Sequence, residues 1–213
     1  MALRSVSCKG QEDSERLLAR SAAVQHENAA QQRIVAAARQ LFASRGFHQT
    51  AMADLAREAK VSVGAIYRSY TSKADIVLAI IVADSEITLG QLQGDAERVR
   101  NGDISIETAI QQIVLRSMQD KDEALVHEIL AEGHRNPAVA SAVAKFCVQY
   151  REIFIELAKL ARPSLSGEYL EGAGELLLAC MFGIGHRRLS QPSIDEVTTA
   201  RIVSKMILNA LGE

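Results

Sequence analysis

The 213-residue sequence has no tryptophan, three prolines, three cysteines and only 4% aromatic residues. So little proline leaves long stretches free to run as unbroken helix. Cys8, Cys147 and Cys180 are odd in number and far apart, with no Cys-x-x-Cys, which argues against a disulfide framework or a structural zinc site. They read as reduced, small hydrophobes. No run approaches 18 uncharged apolar residues, and the first 25 residues lack the apolar core of a signal peptide, so neither a membrane span nor export is expected and the chain reads as cytoplasmic. Catalytic signatures are missing too: there is no Gly-x-Ser-x-Gly, no His-Glu-x-x-His and no P-loop. Gly183-Ile-Gly185 lacks the third glycine and the preceding strand of a dinucleotide site. His134 or Cys147 with Glu128 offers a nucleophile or base beside a carboxylate, but nothing in their spacing requires a catalytic pair. Neither an enzyme nor a cofactor is expected.

What is present favours helix. Hydrophobic residues make up 48% and charged residues 23%, and Ala, Leu, Ile, Gln, Glu and Arg are abundant. Apolar periodicity and caps divide the chain into about nine helical segments with no strand signal, so the fold class is all-α. Ile34, Ala38, Leu41 and Phe42 form one stripe, closed by Gly46; Met52, Leu55, Ala56 and Ala59 form the next. Ser72-Lys-Ala-Asp75 has capping-box spacing. Later starts fall at Ser105, Asp120 with Glu123, Asn136-Pro137, Ser166, and Ser193 with Glu196, while glycines 90, 94, 102, 133, 167 and 212 read as turns or frayed ends. Residues 1–30 lack the pattern and form an arm, partly disordered or with a short helix over Ser14–Val24.

The net charge of −2 conceals an uneven distribution. Residues 31–73 carry seven Lys and Arg against two acidic residues, whereas residues 74–213 carry 13 against 20. A polyanion is drawn to the first segment and repelled by the second. Within it, "EAKVSVGAIYRSY" (residues 58–70) breaks one helix at Lys-Val-Ser and restarts another of about two turns. A helix that short is marginal in water, so its neighbours must hold it. Ser62 caps it, Ile66 anchors it, and Val63, Gly64, Ala65, Tyr67 and Arg68 spread over the rest of its surface. Small residues at 64 and 65 fit two roles, close approach to the major groove of DNA or close packing on another helix; the local charge favours DNA, with Tyr67, Arg68 and Lys73 placed to grip phosphates.

"QRIVAAARQLFASRGFHQTAMADLAREAKVSVGAIYRSYTSKADIVLAII", residues 32–81, resembles the N-terminal DNA-binding domain of TetR-family transcriptional regulators. The likeness lies in the first-helix "LFASRGF", the second-helix "DLAREA", the recognition-helix "VSVGAIY" and the "SK" opening the fourth helix. It implies a helix-turn-helix domain over residues 31–75 and a helical effector-binding and dimerisation domain over 76–213. It also implies that Val63, Gly64 and Ala65 face base edges, that Tyr67, Ser69 and Lys73 lie near phosphates, and that Thr50 meets the DNA backbone from the second helix. The sequence departs from the family pattern at Lys60, where a turn glycine is usual, at Ala51, where a hydroxyl cap is usual, and at Ser69 and Tyr70, where histidine and phenylalanine are common.

The second half matches the family only in length and helical pattern. Val139, Val143, Phe146, Tyr150, Phe154 and Leu157 form a stripe of the kind that builds a core. The resemblance implies an effector cavity there, lined by His127, Phe146, Tyr150 and Met181, for a largely apolar small molecule. His127 and His134, with Cys147, lack the tight spacing of metal ligands, so no metal is expected. "LLLACMFGIG" and "ARIVSKMILNAL" place small residues among Leu and Met on two helices that suit a homodimer interface, although an ordinary intramolecular pair fits as well. The resulting expectation is a dimeric, ligand-responsive regulator of double-stranded DNA, in that family more often a repressor, reading a pseudo-palindromic operator. A helical adaptor or small-molecule-binding protein without sequence-specific DNA binding is the competing reading.

Overall fold

The computed structural model describes the backbone of residues 6–119 and 122–212 and the side chains of residues 24–119 and 122–211. Among them are nine α-helices and no strand: α1 (Val6–Arg45), α2 (Met52–Glu58), α3 (Val63–Ser69), α4 (Lys73–Arg100), α5 (Ile106–Gln119), α6 (Glu123–Gly133), α7 (Pro137–Ala161), α8 (Gly167–Gly185) and α9 (Glu196–Gly212). A short 3-10 turn, Arg187–Ser190, follows α8. The chain separates into two compact units, Met1–Val77 and Leu78–Glu213.

Most helix boundaries follow their caps. The Ser105 hydroxyl accepts from the Thr108 amide at 3.1 Å, and the Asn136 side chain accepts from the amides of Ala138 and Val139 ahead of Pro137 in the first turn. Gly46 ends α1 with φ 86°, a conformation that suits glycine. Four expectations change. First, α1 is continuous from Val6, so most of the expected arm is helix; residues 24–29 are exposed, so burial does not support them and helix propensity contributes instead. Residues 1–5 lie outside the described residues, as does Asp120, and the residue preceding α6 is Asp122. Second, α9 is capped by Asp195, whose carboxylate accepts from the Thr198 amide at 2.8 Å, and not by Ser193. Third, Ser166 precedes α8 without a side-chain cap bond. Fourth, Gly90 and Gly94 mark no turn and lie inside α4. Each costs roughly 1 kcal/mol in a helix interior, which burial of Leu92 and Ala96 in the core outweighs.

In the first unit α1, α2 and α3 pack pairwise. Leu41, Phe42, Phe47, Leu55 and Ile66 are buried there, with the Phe42 and Phe47 rings edge to face at 5.3 Å. In the second unit α7 packs on α6 and α8, and α5 on α8 and α9. Their facing stripes make a core that includes Leu92, Ile110, Val114, Met118, Phe154, Leu157, Leu177, Ala200 and Ile207. Asp95, buried on α4, pairs with Arg116 of α5, and Arg100 pairs with Glu156 of α7. No helix is long and apolar enough to cross a membrane among the described residues.

The α7–α8 crossing depends on Gly174, where a Cβ would stand 2.5 Å from Ile155 Cγ1 and 3.3 Å from Arg151 Cγ. We expect Gly174→Ala to lower unfolding stability by roughly 1–3 kcal/mol, the usual cost of overpacking. Urea denaturation followed by circular dichroism measures it; an unchanged midpoint means the crossing relaxes freely.

Candidate nucleic-acid interface

The two short helices of the first unit are joined by a tight, fully bonded turn. At the end of α2 the Lys60 amide donates to Arg57 O at 3.2 Å and the Val61 amide to Ala56 O at 3.0 Å, the paired bonds of a Schellman motif. That motif needs a left-handed residue, and Lys60 supplies it with φ 55°, at a cost of roughly 1 kcal/mol or more against glycine. At the start of α2, Ala51 has no side-chain oxygen to offer, but the Asp54 carboxylate accepts from its amide at 3.2 Å and pairs with Arg57. One half of a capping box thus survives without a hydroxyl.

Ser62 then opens α3, its hydroxyl oxygen accepting from the Ala65 amide at 3.1 Å. Ile66 is completely buried, which fixes the rotation of the helix and turns Val63, Gly64, Tyr67 and Arg68 outward. Val63 is 43% and Tyr67 51% exposed, high for apolar and aromatic groups. Ala65 and Ser69 are half-buried at the edges of this face. A Cβ built on Gly64 meets nothing within 4 Å. Close packing against the described residues therefore does not account for that glycine.

Behind α3 a full capping box starts α4. The Asp75 carboxylate accepts from the amides of Thr71 and Ser72 and from the Thr71 hydroxyl, and Ser72 Oγ accepts from the Asp75 amide at 3.2 Å. The Thr71 hydroxyl bond, with the Ser72 and Thr71 amides, holds this carboxyl below its ordinary range. Its contribution is present above the unfolded carboxyl's pKa and is lost only as pH falls through the depressed folded value.

Two residues carried over as DNA contacts are placed differently. Thr50 is buried, and its hydroxyl donates to Gly46 O at 2.9 Å, tying the α1–α2 loop instead of facing outward. Lys73 lies over the Phe47 ring, 4.6 Å from its centroid, and its ammonium donates to Phe47 O at 2.6 Å and His48 O at 3.3 Å. It bolts the head of α4 to the same loop. Both are side chains whose type suits a phosphate but whose neighbours use them first.

The residues proposed to line an effector site have separate settings. His127 is exposed and stacks on His186, with ring centroids 4.0 Å apart. Phe146 is buried, and Met181 receives the Ser117 hydroxyl at 3.3 Å. Tyr150 is bonded to Ser85 and Thr88 of α4, while its burial raises its phenol pKa. A half-open cavity of about 350 Å³, lined by Ile106, Ala161, Arg162, Leu208 and Leu211, includes none of the four.

Residues 34–80 match the family model for bacterial regulatory proteins, tetR family. That segment is of the tetR family. The chain is 35% identical over 109 residues to the HTH-type transcriptional regulator UidR of Escherichia coli (strain K12), a match covering 51% of the chain and 54% of that protein. It thus spans about half the length of the curated relatives it matches. The structure is similar to Salmonella enterica GusR, with TM-score 0.66 and 25% identity over 84% of this chain and 95% of that one. It is also similar in fold to a transcriptional regulator from Saccharomonospora viridis crystallised with choline, with TM-score 0.67 and 18% identity over 84% and 95% of the two chains.

The internal bonds of Lys73 predict a stability defect. Replacing Lys73 with Ala should cost roughly 1.5–3 kcal/mol, the range for a hydrogen bond to a charged group. Tyr67→Ala, on the exposed face, should stay within about 0.5 kcal/mol of the wild type. Thermal melts of the two variants check the contrast, and equal melting temperatures would refute it.

Proposed function

We propose that the chain is a cytoplasmic, ligand-responsive transcriptional regulator that binds double-stranded DNA as a homodimer, acting as a repressor released by a small-molecule effector. One observation carries the reading. The outward face of α3 combines exposed Val63 and Tyr67 with a glycine on which an added Cβ meets nothing within 4 Å among the described residues. A recognition helix needs such a face, because methyls and bare backbone can approach base edges where a bulky side chain cannot. Val63, Gly64 and Ala65 are assigned to the bases; Ser62, Tyr67, Arg68 and Ser69 are assigned to flanking phosphates, with Arg68 also within reach of a guanine. Thr50 and Lys73 are assigned to holding the loop beneath.

So small a reading surface specifies little DNA alone, and a twofold pair doubles it. Support for dimerisation comes from the second unit. Along α8, Tyr169, Gly172, Leu176, Ala179 and Gly183 are exposed at helical spacing, and Ile202, Met206 and Ala210 repeat the pattern on α9. Those helices pack chiefly on α7 and α5, so neither stripe is spent on the other. The effector is placed among the apolar side chains of the second unit and is largely apolar. Its influence on DNA binding can be no larger than its differential affinity for the two states of the dimer.

For the DNA face, gel shift against the gene's own upstream DNA at fixed salt is the test. Tyr67→Ala should weaken binding by about 2- to 10-fold, as for loss of one hydrogen bond. Gly64→Leu should weaken it further while leaving helicity intact. Unchanged affinity in Gly64→Leu would sink the assignment of α3 to the groove. Sites selected from random DNA should show twofold-related half-sites about one helical turn apart; the absence of any such motif would exclude a dimeric reader.

The interface can be tested without confusion from misfolding, because a Cβ on Gly183 meets nothing within 4 Å. Gly183→Arg should convert a dimer into a monomer in sedimentation velocity at micromolar concentration. A wild-type monomer, or a dimer that survives the substitution, removes α8 from the interface.

A further inference from the structure

Glu123 and His127 stand one helical turn apart at the start of α6, so both side chains project from the same face. His186, the residue that ends α8, comes up against them. One ligand-type atom from each of the three lies within 4.8 Å of the others. The His186 Nδ1 to Glu123 Oε1 separation is 3.7 Å, and the two imidazoles overlap with centroids 4.0 Å apart, tilted by 31°. At 3.7 Å no hydrogen bond joins Glu123 to His186.

The decisive feature is what these atoms lack. Glu123 Oε1 and His186 Nδ1 are each buried at the atom level with no hydrogen-bond partner. The neighbouring cations are spent elsewhere, since Arg187 donates to Ile194 O at 2.7 Å and Arg188 pairs with Glu196 at 3.0 Å. A carboxylate oxygen and an imidazole nitrogen, both buried, 3.7 Å apart and without a hydrogen-bond partner, are costly unless a positive charge lies between them, and the exposed imidazole of His127 alongside offers a third donor to such a charge.

We propose that Glu123, His127 and His186 form a binding site for a divalent transition metal ion of the zinc class. The donor set, two imidazoles and one carboxylate without thiolate, suits Zn²⁺ and its borderline neighbours over soft or purely oxygen-seeking ions. Tetrahedral zinc with bonds near 2.1 Å holds its ligand atoms about 3.3–3.5 Å apart, so binding requires the three side chains, now with ligand atoms within 4.8 Å of one another, to rotate inward. His127 is exposed, which leaves an entry path. Three protein ligands leave the fourth position to water or to an oxygen atom of a bound molecule. The site ties the beginning of α6 to the end of α8, and it stands independently of the DNA-binding reading. It also departs from the expectation of no metal, because that expectation considered only His127, His134 and Cys147.

Full-length protein stripped with a chelator and titrated with Zn²⁺ against a chromogenic competitor tests the site, with circular dichroism confirming the fold of every variant. One equivalent per chain is expected, accompanied by a rise in melting temperature, and Co²⁺ in its place should give the intense visible absorption of a tetrahedral complex. His127→Ala removes an exposed side chain and should weaken Zn²⁺ binding by more than the roughly 100-fold that loss of an outer-shell partner costs. His186→Ala should do the same and Glu123→Gln should weaken binding, while His134→Ala leaves it unchanged. Absence of a saturable equivalent, or an equivalent that persists in His127→Ala, overturns the proposal; the latter means scattered histidines and cysteines take the ion.

Discussion

Burial of Ile66 is the constraint on which the candidate DNA-binding face depends. A seven-residue helix makes too few internal bonds to persist alone, so α3 exists because its one large apolar side chain is taken out of water completely. That burial, worth roughly 1.5–3 kcal/mol for such a side chain, also sets the rotation of α3 about its own axis. Once Ile66 points inward, Val63, Gly64 and Tyr67 have nowhere to go but out. The surrounding bonds serve this placement: the Schellman turn at Lys60 aims the chain, Ser62 starts the helix, and the Thr71–Ser72–Asp75 box starts the next one directly behind it.

The strained turn and the inward lysine carry one physical lesson. Lys60 occupies a left-handed position that glycine fills without penalty, and the chain tolerates it because two backbone bonds and the buried faces of α2 and α3 hold the turn on either side. Lys73, by contrast, satisfies two loop carbonyls and covers a phenylalanine ring. Positive charge in this unit is therefore of two kinds, exposed cations such as Arg68 at the surface and an ammonium that works as a structural bolt.

The second unit is organised by facing apolar stripes, with charge used at the edges. Asp95 with Arg116 and Arg100 with Glu156 connect α4 to α5 and α7, and Gly174 lets α7 and α8 approach closely. A second stripe of small and apolar residues on α8 is exposed among the described residues. A monomer that keeps such a stripe in water forgoes stabilisation that a second surface can supply, the physical basis for assigning the dimer interface there.

Local chemistry made much of this protein legible from residues alone. The order of the helices among the described residues, most of their starting caps, the outward Val63-Gly64 face and the inward Ile66 all depend on spacings of a few residues, which sequence records directly. Tertiary neighbours decided the remainder. Whether Thr50 and Lys73 face a phosphate or a loop carbonyl depends on where the α1–α2 loop runs, and no periodicity encodes that. Gly90 and Gly94 read as turns because their own propensity is poor, whereas buried residues around them keep α4 intact. His127 looked solitary beside His134 because the atoms nearest to it come from His186, far along the chain, and only the return of α8 against the first turn of α6 brings them together. A sequence determines which groups a chain can bring to a site; packing between distant helices determines which of them meet.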